Sequence, residues 1–348
     1  MSSHDTPADA ARARVGYLGP EGTFTEEALL ASALPDSVEP VAQRTIYDTV
    51  AALESGEVDW AVVPIENSLD GSVTVTLDLL AAEDAGAQIV GEALLSIRHS
   101  LIACAPVQLS EIQTVLTHPQ VPGQCERFLR GELGQARVLA ASSTAEAVRS
   151  VVAAGVREQA ALGTVLAARI YGGTVIREGV QDRDDNETRF AWLGRAGAGF
   201  LTGERTKQGT GKAEGDGARA GSASSAGEPP IRRLEEPVEW KTSLVFWGPG
   251  ANSAGWLVRC LDEFSRRQIN MTKIESRPKR ERMGNYMFFV DVQGAREDTA
   301  VAEAIAGLEG ICERVRVLGS YRGAQPNDSL RARREGLEPP LHSGAADG

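Results

Sequence analysis

The stretch Val15-Gly16-Tyr17-Leu18-Gly19-Pro20-Glu21-Gly22-Thr23-Phe24-Thr25-Glu26 decides how the first half of this chain is read. Its apolar start is a short strand, and Gly19-Pro20-Glu21-Gly22 is a turn. Thr23, with Glu26 three residues on, is a capping box that opens a helix through Glu27-Ala28-Leu29-Leu30. The free backbone N–H groups of such a helix start attract anions, although a plain βα turn has the same pattern. Without the lysine of a phosphate loop, these glycines do not make a nucleotide site.

The same order recurs downstream. Residues 45–54 have helical periodicity. Residues 60–65 are a strand ending in the polar turn Glu66-Asn67-Ser68-Leu69-Asp70-Gly71-Ser72. Thr114-Val115-Leu116-Thr117 turns through His118-Pro119-Gln120 into a helix around residues 124–129. Arg137-Val138-Leu139-Ala140 precedes a second capping box at Ser143-Thr144-Ala145-Glu146, and Ala160-Ala161-Leu162-Gly163 is a further strand. Strands alternating with helices predict α/β layers, with ligands at the polar turns beyond the strand ends.

Asp184-Asp185-Asn186-Glu187-Thr188-Arg189-Phe190 runs into Ala191-Trp192-Leu193-Gly194, an apolar run that reads as a buried strand. A hydroxyl beside a guanidinium fork at the mouth of that strand suits a substrate carrying an alcohol and a carboxylate. The plain alternative is a strand edge with an exposed arginine.

From residue 197 to 230 the chain is rich in Gly, Ala and Ser and reads as a flexible linker. A second pattern follows: strands at 242–246, 270–276, 286–291 and 315–319, with helices at 256–266 and 299–308. The order βαββαβ is ferredoxin-like. The expected division is a disordered N-terminus at 1–14, a two-lobed α/β unit at 15–195, a linker at 196–240, an α+β domain at 241–320 and a disordered tail at 321–348.

The 48 acidic against 36 basic residues give a net charge of -12, which argues against nucleic acid and membranes as partners. An anionic substrate then needs locally placed donors. There is no signal-peptide pattern, and the four scattered cysteines read as reduced thiols, so a cytoplasmic location is expected. The four histidines form no metal-ligand cluster.

Gly19-Pro20-Glu21-Gly22-Thr23-Phe24, Pro64-Ile65-Glu66-Asn67-Ser68, Thr117-His118-Pro119-Gln120, Gln124-Cys125 and Thr188-Arg189-Phe190 resemble, in order, the motifs of the prephenate dehydratase family. Ile274-Glu275-Ser276-Arg277-Pro278 resembles the signature of the ACT regulatory domain that follows in that family. The resemblance implies a catalytic domain of two lobes like those of periplasmic binding proteins, with substrate between them. It implies conversion of prephenate to phenylpyruvate, water and CO2, and inhibition by phenylalanine bound between ACT domains of a homodimer or homotetramer.

By the same resemblance, Thr188 is the residue most directly tied to catalysis, with Arg189 either clamping a carboxylate or orienting the turn, and Phe190 packing beneath. Thr23, Glu66, Asn67, Ser68, Thr117 and Gln124 are the expected substrate-binding positions. Many relatives carry Ser where Thr117 stands. Glu66 is either protonated or a turn residue pointing away, since an ionised carboxylate beside a dianion is unfavourable. His99 and His118 read as structural. The effector positions are Asn252, Gly255, Trp256, Leu257, Glu275, Ser276, Arg277 and Pro278. Trp256 replaces a small residue, and its indole fills the pocket, reshapes it or enters the core. No metal or organic cofactor is chemically required, because aromatisation supplies the driving force.

The alternatives are arogenate dehydratase, which performs the same elimination on the amino analogue, and a non-catalytic amino-acid sensor. The Thr188-Arg189 pair argues against the sensor. A DNA-binding regulator is disfavoured by the acidic charge.

Overall fold

The computed structural model describes residues 12–196, 228–232, 239–248, 253–279 and 285–324. The first lobe is built from β1 (Ala13–Leu18), α1 (Phe24–Ser32), β2 (Val38–Gln43), α2 (Ile46–Ser55), β3 (Trp60–Asn67), the short β4 (Gly71–Ser72), α3 (Thr74–Ala81) and β5 (Ala87–Ser96). The second lobe holds β6 (Ser100–Ala103), β7 (Thr114–Thr117), α4 (Val121–Gln124), α5 (Glu126–Glu132), β8 (Arg137–Ala140), α6 (Thr144–Ala154), β9 (Gln159–Gly163), α7 (Val165–Tyr171) and β10 (Thr174–Arg177). The chain then returns to the first lobe as β11 (Glu187–Arg195).

Helix boundaries follow the capping chemistry. Thr23, Thr45, Ser143 and Thr164 each accept a backbone N–H at the start of α1, α2, α6 and α7. Gly56, Gly155 and Gly172 end three of these helices in the left-handed region that favours glycine.

The first-lobe sheet runs β2-β1-β3-β11-β5 and the second-lobe sheet β10-β6-β9-β7-β8. Two crossovers join the lobes, β5 to β6 and β10 to β11. Strand β11, inserted antiparallel between β3 and β5, carries Thr188 to Asn67 in register. This is the two-lobed α/β arrangement that the resemblance implies.

The third unit is β12 (Trp240–Trp247), α8 (Trp256–Ser265), β13 (Met271–Pro278), β14 (Tyr286–Gln293), α9 (Thr299–Glu309) and β15 (Arg314–Arg322), with sheet order β13-β14-β12-β15. It is the ferredoxin-like domain expected. Helices α8 and α9 cover one face, packing Trp256, Phe264, Val301 and Leu308 on Leu244, Phe246 and Val290.

The other face lies on the first lobe. Val245, Trp247, Phe289, Leu318 and Tyr321 share one core with Ile65, Leu77, Ile89, Ala191 and Leu193. Gly319 makes this approach possible, since a Cβ there would stand 2.1 Å from the Ile89 carbonyl oxygen.

Part of the stretch read as linker is docked. Leu34 N donates to Pro230 O at 2.9 Å and Arg232 N to Ser32 O at 2.7 Å, while Ile231 packs into the first-lobe core. Ile231 is the large apolar side chain that a compositional reading averaged away. Asn252, the linker at 197–227 and 233–238, the N-terminus through residue 11 and the tail beyond residue 324 lie outside the described residues. Among the described residues, no helix is long and apolar enough to cross a membrane.

Candidate active site

Asn67, at the end of β3, and Thr188, near the start of β11, form the centre of the site. Asn67 Nδ2 donates to Thr188 Oγ1 at 2.8 Å and to Asn186 Oδ1 at 2.9 Å. Asn67 Oδ1 accepts the Leu69 and Asp70 N–H groups, each at 2.9 Å, which fixes the orientation of the amide. A hydroxyl that accepts from Asn67 keeps its own hydrogen for another partner.

Gln124 brings in the second lobe. Its Oε1 accepts from Asn186 Nδ2 at 3.1 Å and lies 2.9 Å from His99 Nε2, and its Nε2 donates to Asp70 Oδ2 at 3.1 Å. Burial lowers the His99 pKa below its ordinary value, against the pull of Gln124. Asn186 and His99 were missed as site residues. Asn186 stands in the quoted 184–190 run two positions before Thr188, the spacing at which strand residues share a face. Nothing in the sequence joins His99 to it.

Arg189 does not share the face of Thr188. Successive side chains of a strand point to opposite faces, so Arg189 turns away from Thr188 towards the third domain. Its Nη1 is 2.6 Å from Asp291 Oδ2 and 3.7 Å from Glu92 Oε2, and its Nη2 is 3.7 Å from Glu66 Oε2. Burial opposes the guanidinium charge, but Asp291 and the other carboxylates hold its pKa above the usual value. Burial likewise opposes the Asp291 charge, and Arg189 and Ser243 keep that carboxyl below its usual range.

Glu66 faces the same way, 3.1 Å from Lys273 Nζ. Of the two readings of Glu66, the one that points it away fits: the alternation that sends Asn67 into the site sends Glu66 out of it, to Lys273 and not to a local turn N–H.

The remaining positions have hydrogen-bond or packing partners within the chain. Ser68 Oγ accepts from Glu187 N at 2.9 Å and pins the entry to β11. Thr117, 1% exposed, donates to Leu162 O at 3.0 Å. Thr23 Oγ1 donates to Leu18 O at 2.9 Å while capping α1. The Gly22 N–H beside it is taken by the Glu26 carboxylate, so an acid already occupies part of the expected anion site. Burial raises the Glu26 pKa. Phe190 is buried with Tyr17, Leu29 and Trp192 beneath the site.

In the third domain the indole of Trp256 enters the core: it is 4% exposed, packs on Phe246 and Phe288, and donates to Ile311 O at 3.2 Å. Gly255 caps α8 at φ 72 and Leu257 packs in the same core. Glu275 and Arg277 have partners within the chain. Glu275 accepts from Ser72, and Arg277 forks onto Asp78 at 3.0 and 3.1 Å. Alternation along β13 turns residues 273, 275 and 277 towards the first lobe and leaves Ser276 exposed beside Pro278. Among the described residues, no cluster of three or more His, Cys, Asp or Glu side chains is arranged to hold a metal ion.

A family model described as "Prephenate dehydratase" matches residues 15–198, and one described as "ACT domain" matches residues 253–310. A curated relative from Mycobacterium sp. (strain JLS), named prephenate dehydratase, is 36% identical over 352 residues, covering 95% of this chain and 99% of its own length. The structure of prephenate dehydratase from Arthrobacter aurescens in complex with L-Phe is similar at TM-score 0.73 and 31% identity, covering 93% of this chain and 97% of that one. GqqA, described as a quorum quenching acylase, is similar at TM-score 0.70 and 25% identity, covering 89% and 98%. With residues 15–198 matched by that family model, the third domain matched by the second and a relative 36% identical over 95% of the chain, this chain belongs to the prephenate dehydratase family.

Proposed function

We propose that Thr188 assists the loss of hydroxide from prephenate, in the conversion to phenylpyruvate, water and CO2 that the family performs. The ring carboxylate leaves as CO2. The electron pair of the broken C–C bond aromatises the ring and expels the hydroxyl, which takes a proton and departs as water. A threonine is too weak an acid to lead this step. A hydrogen bond to the developing negative charge is the contribution its chemistry allows. The observation that carries the reading is the 2.8 Å bond from Asn67 to Thr188, which leaves the hydroxyl hydrogen to point at substrate.

Asn67, Asn186 and Gln124 form a chain of neutral amides that ends on the hydroxyl, so its supports place no charge directly on it. An acylase nucleophile, by contrast, needs a base to take its proton. Thr188 instead accepts from an amide, and this favours the elimination. Phenylalanine inhibits through the ACT domain, with the exposed Ser276 edge of β13 and the Gly255 turn as the proposed effector contacts of a homodimer or homotetramer.

Turnover of prephenate and of arogenate is the test, followed in wild type, Thr188→Ser and Thr188→Ala, with and without phenylalanine. Thr188→Ala is expected to lose about 10²–10³-fold in kcat and Thr188→Ser to keep most of it. Equal losses in both variants would overturn the hydroxyl role, and faster turnover of arogenate would reassign the substrate.

A further inference from the structure

His99 lies on the crossover between β5 and β6, 1% exposed. Asn186 lies on the return crossover before β11. The crossovers are bonded to each other: Ile97 N donates to Asn186 O at 2.8 Å, Val180 N to His99 O at 3.0 Å, and His99 N to Gln181 Oε1 at 3.1 Å. Their side chains meet on one atom of the second lobe, Gln124 Oε1.

The backbone dictates where the hydrogens sit along this chain. Two N–H groups donate to one end of the Asn67 side chain, so its other end is the NH2. That NH2 faces Asn186, whose near atom is therefore oxygen and whose far end is an NH2. The atom of Gln124 it meets is therefore oxygen, and the Gln124 NH2 turns to Asp70. An amide oxygen only accepts, so His99 Nε2 carries a hydrogen, and burial, which lowers the ring's pKa, favours the neutral form. Nδ1 is then a bare acceptor, buried and without a hydrogen-bond partner among the described residues. A buried acceptor left without a partner is destabilising, and an apolar ring filling the same space would avoid it.

We infer that His99 is a positioning residue for the elimination: through Gln124, Asn186 and Asn67 its Nε2–H holds the Thr188 hydroxyl pointed at substrate, and does so only while both crossovers are in register. The inference rests on the role proposed for Thr188. It also explains why the chain spans both lobes, since a shift of either lobe breaks a link that the hydroxyl needs.

Imidazole 15N NMR on the intact wild-type enzyme near neutral pH tests the chain without any substitution. The neutral Nε2–H tautomer is expected for His99, and an Nδ1–H tautomer or an imidazolium would overturn the inference. Steady-state kinetics with prephenate then compare His99→Gln, whose amide NH2 reaches the Nε2 position, with His99→Phe, which fills the space without a donor. The Phe variant is expected to lose about 10-fold or more in kcat at nearly unchanged KM, and the Gln variant to recover most of it at a similar Tm. Equal kcat in the two variants, or losses that follow Tm alone, would assign His99 to packing and refute the positioning role. A wild-type enzyme with the expected tautomer and no turnover of prephenate would refute the dehydratase reading itself.

Discussion

Arg189 and Asp291 stand 2.6 Å apart across the seam between the catalytic strand β11 and the regulatory strand β14. Thr188, one peptide bond away, points to the opposite face. Around the pair, Lys241 meets Glu92 at 2.7 Å and Lys273 meets Glu66 at 3.1 Å. The seam is thus an ion network laid on an apolar core.

Removing one partner of a buried pair leaves the other charge uncompensated. Asp291→Ala is expected to lower stability by about 3–5 kcal/mol, measured by denaturant unfolding. Asp291→Asn, which keeps the shape, is expected to weaken phenylalanine inhibition by about fivefold or more with basal kcat retained. Inhibition that stays at the wild-type concentration would limit the pair to holding the domains together.

Asn67 and Thr188 act as one unit in this geometry, so their losses are not additive. Asn67→Ala is expected to cost nearly as much kcat as Thr188→Ala, and the double variant little more than either. A double-mutant cycle in kcat with two independent, multiplying losses would separate the residues.

Trp256 is a core residue here. Trp256→Ala is expected to destabilise the protein by about 3–5 kcal/mol, read from thermal or denaturant unfolding. Trp256→Phe is expected to leave phenylalanine affinity within a few-fold by calorimetry. A large gain or loss of affinity in that variant would place the indole in the effector pocket.

His99 gives stability a sign with pH. Its native pKa lies below the ordinary value of 6.5, so below that pH the unfolded chain binds a proton that the native ring refuses. Stability therefore falls as pH drops below about 6.5. Glu26, with a raised pKa, acts in the opposite sense, since the native carboxyl binds its proton more readily. Comparing Tm across pH 5–7.5 in wild type and His99→Gln isolates the histidine: the slope is expected to be shallower in the variant, and identical slopes would contradict the assignment.

Much of the fold was legible from local pattern. The cap residues Thr23, Thr45 and Ser143 mark three helix starts, and the apolar run after Phe190 is an interior strand of the first sheet. The fate of Arg189 and Glu66 was half legible. Strand alternation separates each from its neighbour in the site, but which face meets substrate depends on a domain more than fifty residues further along the chain. The intrachain partners of Glu275 and Arg277 were not legible for the same reason, because Ser72 and Asp78 lie about 200 residues away. His99 was read as structural, and it is buried. Its link to Gln124 belongs to the crossover geometry, which periodicity does not report.

The docked segment at 228–232 changes what the long glycine-rich stretch can be. Ala196 N is bonded to Gly86 O, and Pro230, Ile231 and Arg232 sit on α1. Both anchors are on the catalytic lobe, so the stretch between them closes a loop on that lobe and sets no limit on the regulatory domain. The leash of that domain is only residues 233–238, whose fully extended reach is on the order of 20 Å. Deleting residues 205–220 is therefore expected to spare phenylalanine inhibition, whereas deleting three residues from the leash is expected to impair it. Most of the glycine-rich length therefore lies outside the covalent connection between the two domains.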